Sequence, residues 1–417
     1  MPTTSKLFTP VLIVGCVIIL VSFAIRSSFG LFQIPISVEF DWPRAEFSLA
    51  LAIQNLAWGI GQPIFGAIAE KLGDRRAIVI GSFTYAIGLI LSAGAVTPIE
   101  HKFYEVLIGL GVAGTGFGVV LAVIGRASSD KNRSMSLAVA TVAGSGGQVF
   151  GPLLAAWLLS IMVWQVVFVI YAGMILAVLL LLPFMRTRPI AKADIEDTLR
   201  QNLMSAFRDP SFGMLFLGFF SCGYFLAFMT SHFPAFVAEA CGSIPVGGLL
   251  DGLGISSTSA LGAAAMSVVG LFNIIGTLAA GYLGNRYPKK YLLSAIYLAR
   301  TVMAIAFILL PMSPLNVLIF SAGLGIVWLA SVPLTSGLIG YVYGLRYMGT
   351  LYGIVFFSHQ LGGFMGVWLG GRLYDVYGNY ELVWWLGIAV SAFSALIHLP
   401  IRERPLNLLK QPDQLRS

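Results

Sequence analysis

Charge is the scarcest ingredient of this sequence. Of its 417 residues only 10% are Asp, Glu, Lys or Arg, and 58% are hydrophobic, whereas an average soluble domain is about 25% charged. That shortage excludes a chain whose surface is mostly wetted. Cysteine is rarer still: Cys16, Cys222 and Cys241 are scattered, which excludes a disulfide framework and a metal spacing. The first two read as small buried hydrophobes. There is no HExxH and no GxxxxGK[ST], so zinc proteolysis and ATP-driven pumping have no support. No catalytic residue, metal or cofactor is expected. Acids are missing from the apolar runs, because all 18 Asp and Glu are read in loops or near the ends of runs.

What remains is apolar, in stretches of about 20 residues, each enough to cross a hydrocarbon layer at 1.5 Å per residue. Twelve are read, near 10–36, 47–69, 77–97, 102–125, 134–159, 163–185, 212–237, 260–284, 290–311, 315–338, 349–371 and 380–401. The first is too long for a cleaved leader and lacks a small-residue cleavage site, so it reads as a span. The expected fold is an all-α polytopic membrane protein with 12 transmembrane helices.

The net charge of +7 raises the question of nucleic acid, and the placement of the cations answers it. Under the twelve-span reading, 20 of the 25 Lys and Arg fall on the side that carries both termini. Arg44, Lys102 and Arg372 fall on the other side, and Arg26 and Arg300 lie within spans. This is the positive-inside distribution, which puts both termini in the cytoplasm. The expected surroundings are a bacterial inner membrane and its lipid bilayer, with no nucleic-acid partner.

The longest polar stretch, RTRPIAKADIEDTLRQNLMSAFRDP from Arg186, divides the chain. It gives an N-terminal six-helix half over 1–185, a cytoplasmic linker over 186–211 with an amphipathic surface helix, and a C-terminal half over 212–417 with a short tail. The halves repeat at an offset of 215: GAIAEKLGDRRAIVIG from Gly66 matches GYLGNRYPKKYLLSAI from Gly281. Gly61, Gly125, Gly147 and Gly151 match Gly276, Gly340, Gly362 and Gly366 at the same offset. Duplicated six-helix units form a site between them and rock around it.

The first loop carries Gly66, Glu70, Lys71, Gly73, Asp74, Arg75 and Arg76. In that pattern the chain resembles the major facilitator superfamily, which implies two pseudo-symmetric halves and a loop whose charge pairs hold the cytoplasmic gate. Glu70 and Lys71 stand where Asp and Arg are commoner, and the second copy, around Arg286, has no acid. RSSFGLFQIPISVEFDWPRAEFSLALAIQNLAWGIGQPIFGAIAEKLGDRR and GGRLYDVYGNYELVWW are similar to the monocarboxylate-transporter branch and its bacterial relatives. That branch commonly carries Asp and Arg one turn apart in span 8, where this chain has Phe272 and Gly276.

A charged residue in mid-membrane costs about 2.5–3.5 kcal/mol on insertion scales and calls for a function. Arg26 lies on a polar face with Ser22, Gly30, Gln33 and Ser37, at helical spacing. With no acid expected inside the spans, a substrate anion supplies its counterion, since Arg clamps a carboxylate with two parallel bonds. The expected substrate site comprises Arg26, Gln33, Gln54, Asn55, Gln148, Tyr224, His232, Asn273, Arg300, Trp328, His359 and Gln360. Arg300 stands equally for a brace between helices. His359 and His232 are the titratable candidates for a coupling proton.

The reading is a monomeric secondary transporter importing a small organic anion by alternating access, with proton symport or anion exchange. Two alternatives stay open. One is proton-coupled efflux, because span 5 reads GQVFGPLLAA, close to an antiporter pattern but with Ala155 and Ala156 for its last glycines. The other is uptake of a vitamin-like nutrient such as riboflavin. A GxGxxG match at Gly109, Gly111 and Gly114 lies inside span 4 and reads as close helix packing.

Overall fold

The structure is a computed structural model that describes residues 7–42, 44–185, 198–242, 244, 247–252 and 255–406. The expected linker over 186–211 is therefore described only from Thr198 onward. Among the described residues there are helices and no strands.

Twelve spans are built as follows. Span 1 is α1 (Pro10–Ser27), a 3-10 turn (Phe29–Phe32) and α2 (Gln33–Phe40). Spans 2 and 3 are α3 (Arg44–Leu72) and α4 (Asp74–Ala93). Span 4 is α5 (Pro98–Thr115) with α6 (Phe117–Ala127), span 5 is α7 (Arg133–Ile161), and span 6 is α8 (Trp164–Ala177) with a 3-10 end (Val178–Phe184). After α9 (Leu199–Arg208), spans 7, 8 and 9 are α10 (Pro210–Ala240), α12 (Thr258–Gly284) and α13 (Lys289–Leu309), with the short α11 (Leu249–Gly252) between the first two. Span 10 is α14 (Pro314–Ile326) with α15 (Ser331–Tyr343), and spans 11 and 12 are α16 (Met348–Tyr377) and α17 (Glu381–Ile397).

Among the described residues, nine of these are long and apolar enough to cross a membrane by length and composition alone. The other three are the 17-residue α17 and the polar-lined α3 and α16, which carry Gln54, Asn55, Gln62 and His359, Gln360. α9 starts on a capping box, in which Thr198 and Gln201 exchange side-chain bonds with each other's backbone amides, and Asn202 Nδ2 ties it to the Tyr343 carbonyl at 3.3 Å.

The 215-residue repeat is visible in the packing. A Cβ at Gly147 or Gly151 would collide with the backbone of Leu20 or Ala24 on span 1, and one at Gly362 or Gly366 with Phe220 or Tyr224 on span 7. Spans 4 and 10 break at equivalent points, before Phe117 and before Ser331. A broken helix frees backbone groups that need partners. In span 4, Gln62 Nε2 donates to Ala113 O at 3.0 Å. In span 10, Asn273 Oδ1 accepts from the Leu329 amide at 3.1 Å, and Arg300 Nη2 donates to Val327 O at 2.9 Å and Trp328 O at 3.2 Å.

The halves meet through α3 against α16 and α7 against α12. Gly66 faces the backbone of Gly349 and Thr350, Gly353 faces Gln62 and Pro63, and Gly281 faces Ala138. Ser145 Oγ accepts from Asn273 Nδ2 at 2.7 Å. These contacts run from the middle of the bundle to the end that carries Arg75, Arg126 and Lys289, called the basic end below.

Candidate functional site

Arg26 stands in the last turn of α1, just before the helix gives way to the 3-10 turn. Its Nη2 donates to Asn55 Oδ1 on α3, and the guanidinium lies 4.6 Å from the centroid of the Trp58 ring. Asn55 and Trp58 are three residues apart and so share one face of α3. The Asn55 side chain is fixed by a bond from Nδ2 to Leu51 O at 3.0 Å, and its backbone carbonyl accepts from Gln360 Nε2 of α16 at 3.2 Å. His359 Nδ1 lies 3.1 Å from Gln360 Oε1. Trp58 packs on Phe356 at 4.8 Å, and Phe356 stacks on His359 at 5.1 Å.

Spans 1 and 2 thus meet at one cation at mid-bundle, and span 11 packs on the Asn55 and Trp58 that hold it. Arg26 is half-buried, and among the described residues no carboxylate lies within ion-pair distance of it. A guanidinium over an aromatic ring, with one of its five donors bonded to an amide oxygen, is preorganised without being neutralised. The arrangement suits a visiting anion.

Of the expected site residues, Arg26, Asn55, His359 and Gln360 come together here. Gln54, Arg300, Asn273, Trp328, Tyr224 and His232 are engaged elsewhere. Gln54 is buried and donates to Glu105 at 2.6 Å. Arg300 is 1% exposed and spends Nη2 on the span 10 break, the bracing geometry. Asn273 serves the same break, where Trp328 is also buried. The Tyr224 hydroxyl donates to Val383 O at 3.2 Å. His232 Nε2 lies 3.0 Å from Val367 O, between Phe228 and Tyr380. Gln148 is half-buried on α7. Gln33 begins α2, and its side chain lies outside the described residues.

One expectation is corrected. Glu105 is not at a span end: it lies two turns into α5 and is fully buried. Trp58 is the residue that sequence reasoning missed at this site, and Glu105 is one it missed beside it, held by Gln54. Trp58 is legible as the aromatic one turn from Asn55, and Glu105 from the Thr97–Glu100 capping box that starts α5 at Pro98.

The junction of α3 and α4 ties the two halves together at the basic end. Glu70 Oε1 accepts the Thr350 amide at 2.9 Å and Oε2 accepts its hydroxyl, so a carboxylate from one half caps the first turn of α16 in the other. Asp74 pairs with Arg126, whose Nη1 donates to Leu345 O at 3.3 Å. Arg75 donates to Met185 O at 3.1 Å, while Lys71 and Arg76 are exposed and Gly73 takes φ +102° at the turn. In the second copy Asn285, at the position equivalent to Glu70, accepts the Ser134 amide at 3.2 Å. The acceptor survives there without the acid. Arg286 is exposed and lies over the Tyr282 ring.

Comparison with known proteins gives one consistent answer. The sequence profile described as Major Facilitator Superfamily matches residues 14–367. The chain is 26% identical to the uncharacterized MFS-type transporter YcxA of Bacillus subtilis, over 90% of each chain. It is 25% identical to monocarboxylate transporter 13 of Bos taurus, over 86% of this chain and 80% of that one. In fold it is similar to the E. coli fucose:proton symporter FucP, with a TM-score of 0.71 at 15% identity over 93% of this chain and 97% of that one. The proton:xylose symporter XylE gives 0.74 at 13% identity, over 96% and 98%.

Proposed function

The chain belongs to the Major Facilitator Superfamily and is a membrane transporter rather than an enzyme, and on that premise we propose that it carries a small organic anion of carboxylate type. The observation that carries this reading is Arg26, a half-buried cation at mid-bundle that rests on Trp58 and Asn55 with no carboxylate beside it. The guanidinium keeps donors for a bidentate carboxylate, and its charge survives burial. From the other half, Gln360, joined to His359, reaches the Asn55 that holds Arg26. The chemistry agrees with the name of the bovine relative.

The transport cycle is alternating access. The halves over 1–185 and 212–417 rock about Arg26, joined by the linker over 186–211, with the basic end cytoplasmic and closed by Glu70 and Asn285. The chain works as a monomer in a bacterial inner membrane, importing its anion with a proton or in exchange for another anion.

The test is counterflow in proteoliposomes with a panel of small monocarboxylates, first screened for thermal stabilisation of the purified protein. Arg26→Gln and Arg26→Lys keep the fold, and both lose counterflow of the stabilising anion, because neither offers the planar fork. Undiminished counterflow in Arg26→Gln overturns the reading.

A further inference from the structure

Glu105 and His101 lie one turn apart on α5, inside the N-terminal half. Glu105 is 0% exposed and His101 1%. One carboxylate oxygen, Oε2, accepts from Gln54 Nε2 at 2.6 Å. The other, Oε1, has no hydrogen-bond partner, and neither has His101 Nε2. These two unpartnered atoms face each other at 3.7 Å. The far nitrogen of the imidazole, Nδ1, is 2.7 Å from Ser92 Oγ, and the ring is closed over by Phe47 at 5.3 Å and Trp42 at 5.9 Å.

An acid and a base, both buried and each with one unpartnered atom, face each other so that a single proton on either atom would point at the other. The charged and polar groups around the pair, among the described residues, come from three neighbouring helices. From α3 come the uncharged Gln54 and the Glu46 already paired with Lys102. From α4 come Ser92 and the Tyr85 phenol, which interacts with Glu105 on one side and Arg26 on the other; from α1 comes Arg26 itself.

We propose that the Glu105–His101 pair is a proton-binding site linked to the anion site at Arg26; the linkage rests on the function proposed above. Two routes join them. Gln54, which holds Glu105, is the chain neighbour of Asn55, which holds Arg26. Tyr85 lies in the field of both charges and donates to the Ser22 carbonyl, one turn before Arg26. When the pair lacks its proton, the carboxylate partly offsets Arg26. Taking up a proton removes that offset and leaves Arg26 as a bare cation, which attracts the anion. By linkage the anion then tightens the proton by the same factor. The site loads an anion and a proton together.

The test needs no substrate. Infrared difference spectra of the purified protein, recorded across pH 5 to 9, show the C=O stretching band of a protonated carboxylic acid appearing on acidification. The band is lost in Glu105→Gln and its titration is displaced in His101→Gln. In Arg26→Gln the band is stronger at a fixed neutral pH, because removing a nearby cation favours the uncharged acid. A spectrum in which no titrating band depends on Glu105 overturns the proton site, and an unchanged titration in His101→Gln overturns the pairing. A band indifferent to Arg26 overturns the link while leaving the proton site standing. None of these outcomes depends on whether Arg26 binds a carboxylate, which counterflow decides separately. For Glu105→Gln that fails to fold, Glu105→Asp serves, with a displaced band expected and an unmoved one refuting.

Discussion

Replacing Glu70 by Ala removes both acceptors that the N-terminal half offers to the first turn of α16. The amide and the hydroxyl of Thr350 donate to separate oxygens of that carboxylate. Hydrogen bonds to a charged group contribute about 1.5–3 kcal/mol each. Glu70 is half-buried and water replaces the lost partner once the end opens, so the net loss to the closed state is about 2 kcal/mol for the pair. That is roughly a 30-fold change in the ratio of closed to open molecules. Asn285→Ala removes one neutral acceptor, worth about 1 kcal/mol or roughly fivefold. The assay is a distance distribution between nitroxides at Arg76 and Tyr287, which are exposed at the equivalent α3–α4 and α12–α13 junctions, after Cys16, Cys222 and Cys241 are replaced by Ala. The long-distance population grows in Glu70→Ala, grows less in Asn285→Ala, and grows by the product in the double variant, since both act on one closure. An unchanged distribution in Glu70→Ala, or a larger effect from Asn285→Ala, refutes the tie between the halves.

Two further outcomes are expected from the packing. Gly223→Ala places a methyl group against the His359 carbonyl and costs about 1–3 kcal/mol by overpacking, so thermal unfolding comes earlier; Gly173→Ala, with open space around it, leaves the midpoint unmoved. Arg300→Met strips the donor from the Val327 and Trp328 carbonyls, costing about 1–3 kcal/mol for the unsatisfied groups. Counterflow per folded molecule stays near wild type, and its complete loss in a stable Arg300→Met protein would show that Arg300 is a ligand.

The sequence carries the fold openly and the site only in part. Hydropathy alone finds spans 1 and 3 to 10, while α3 and α16 are harder to see because the polar residues that make them the contact helices dilute their apolar character. Arg26 was legible because a cation in a span has few reasons to be there. Arg300 reads equally as a ligand or a brace on the same grounds, and the break in span 10 shows the brace, since a freed carbonyl leaves no mark in a residue count. Glu105 was hidden by starting span 4 at 102, where the apolar run begins, instead of at Pro98, where Thr97 and Glu100 cap the helix. Four residues of offset turn a buried acid into a surface one. The second loop misled in the other direction, because a motif defined by charge misses that an amide oxygen caps a helix as a carboxylate does.

The glycines that face backbone where the halves meet have a thermodynamic consequence. Gly66, Gly281 and Gly353 put backbone against backbone or a methyl group across the seam. Freezing a long side chain costs up to about 2 kcal/mol of rotamer entropy, and freezing a glycine or alanine side chain costs nothing. A seam made of such residues closes with little loss of freedom and reopens with little to regain. Its two states can therefore lie close in free energy, a balance that a few hydrogen bonds at one end are enough to tip.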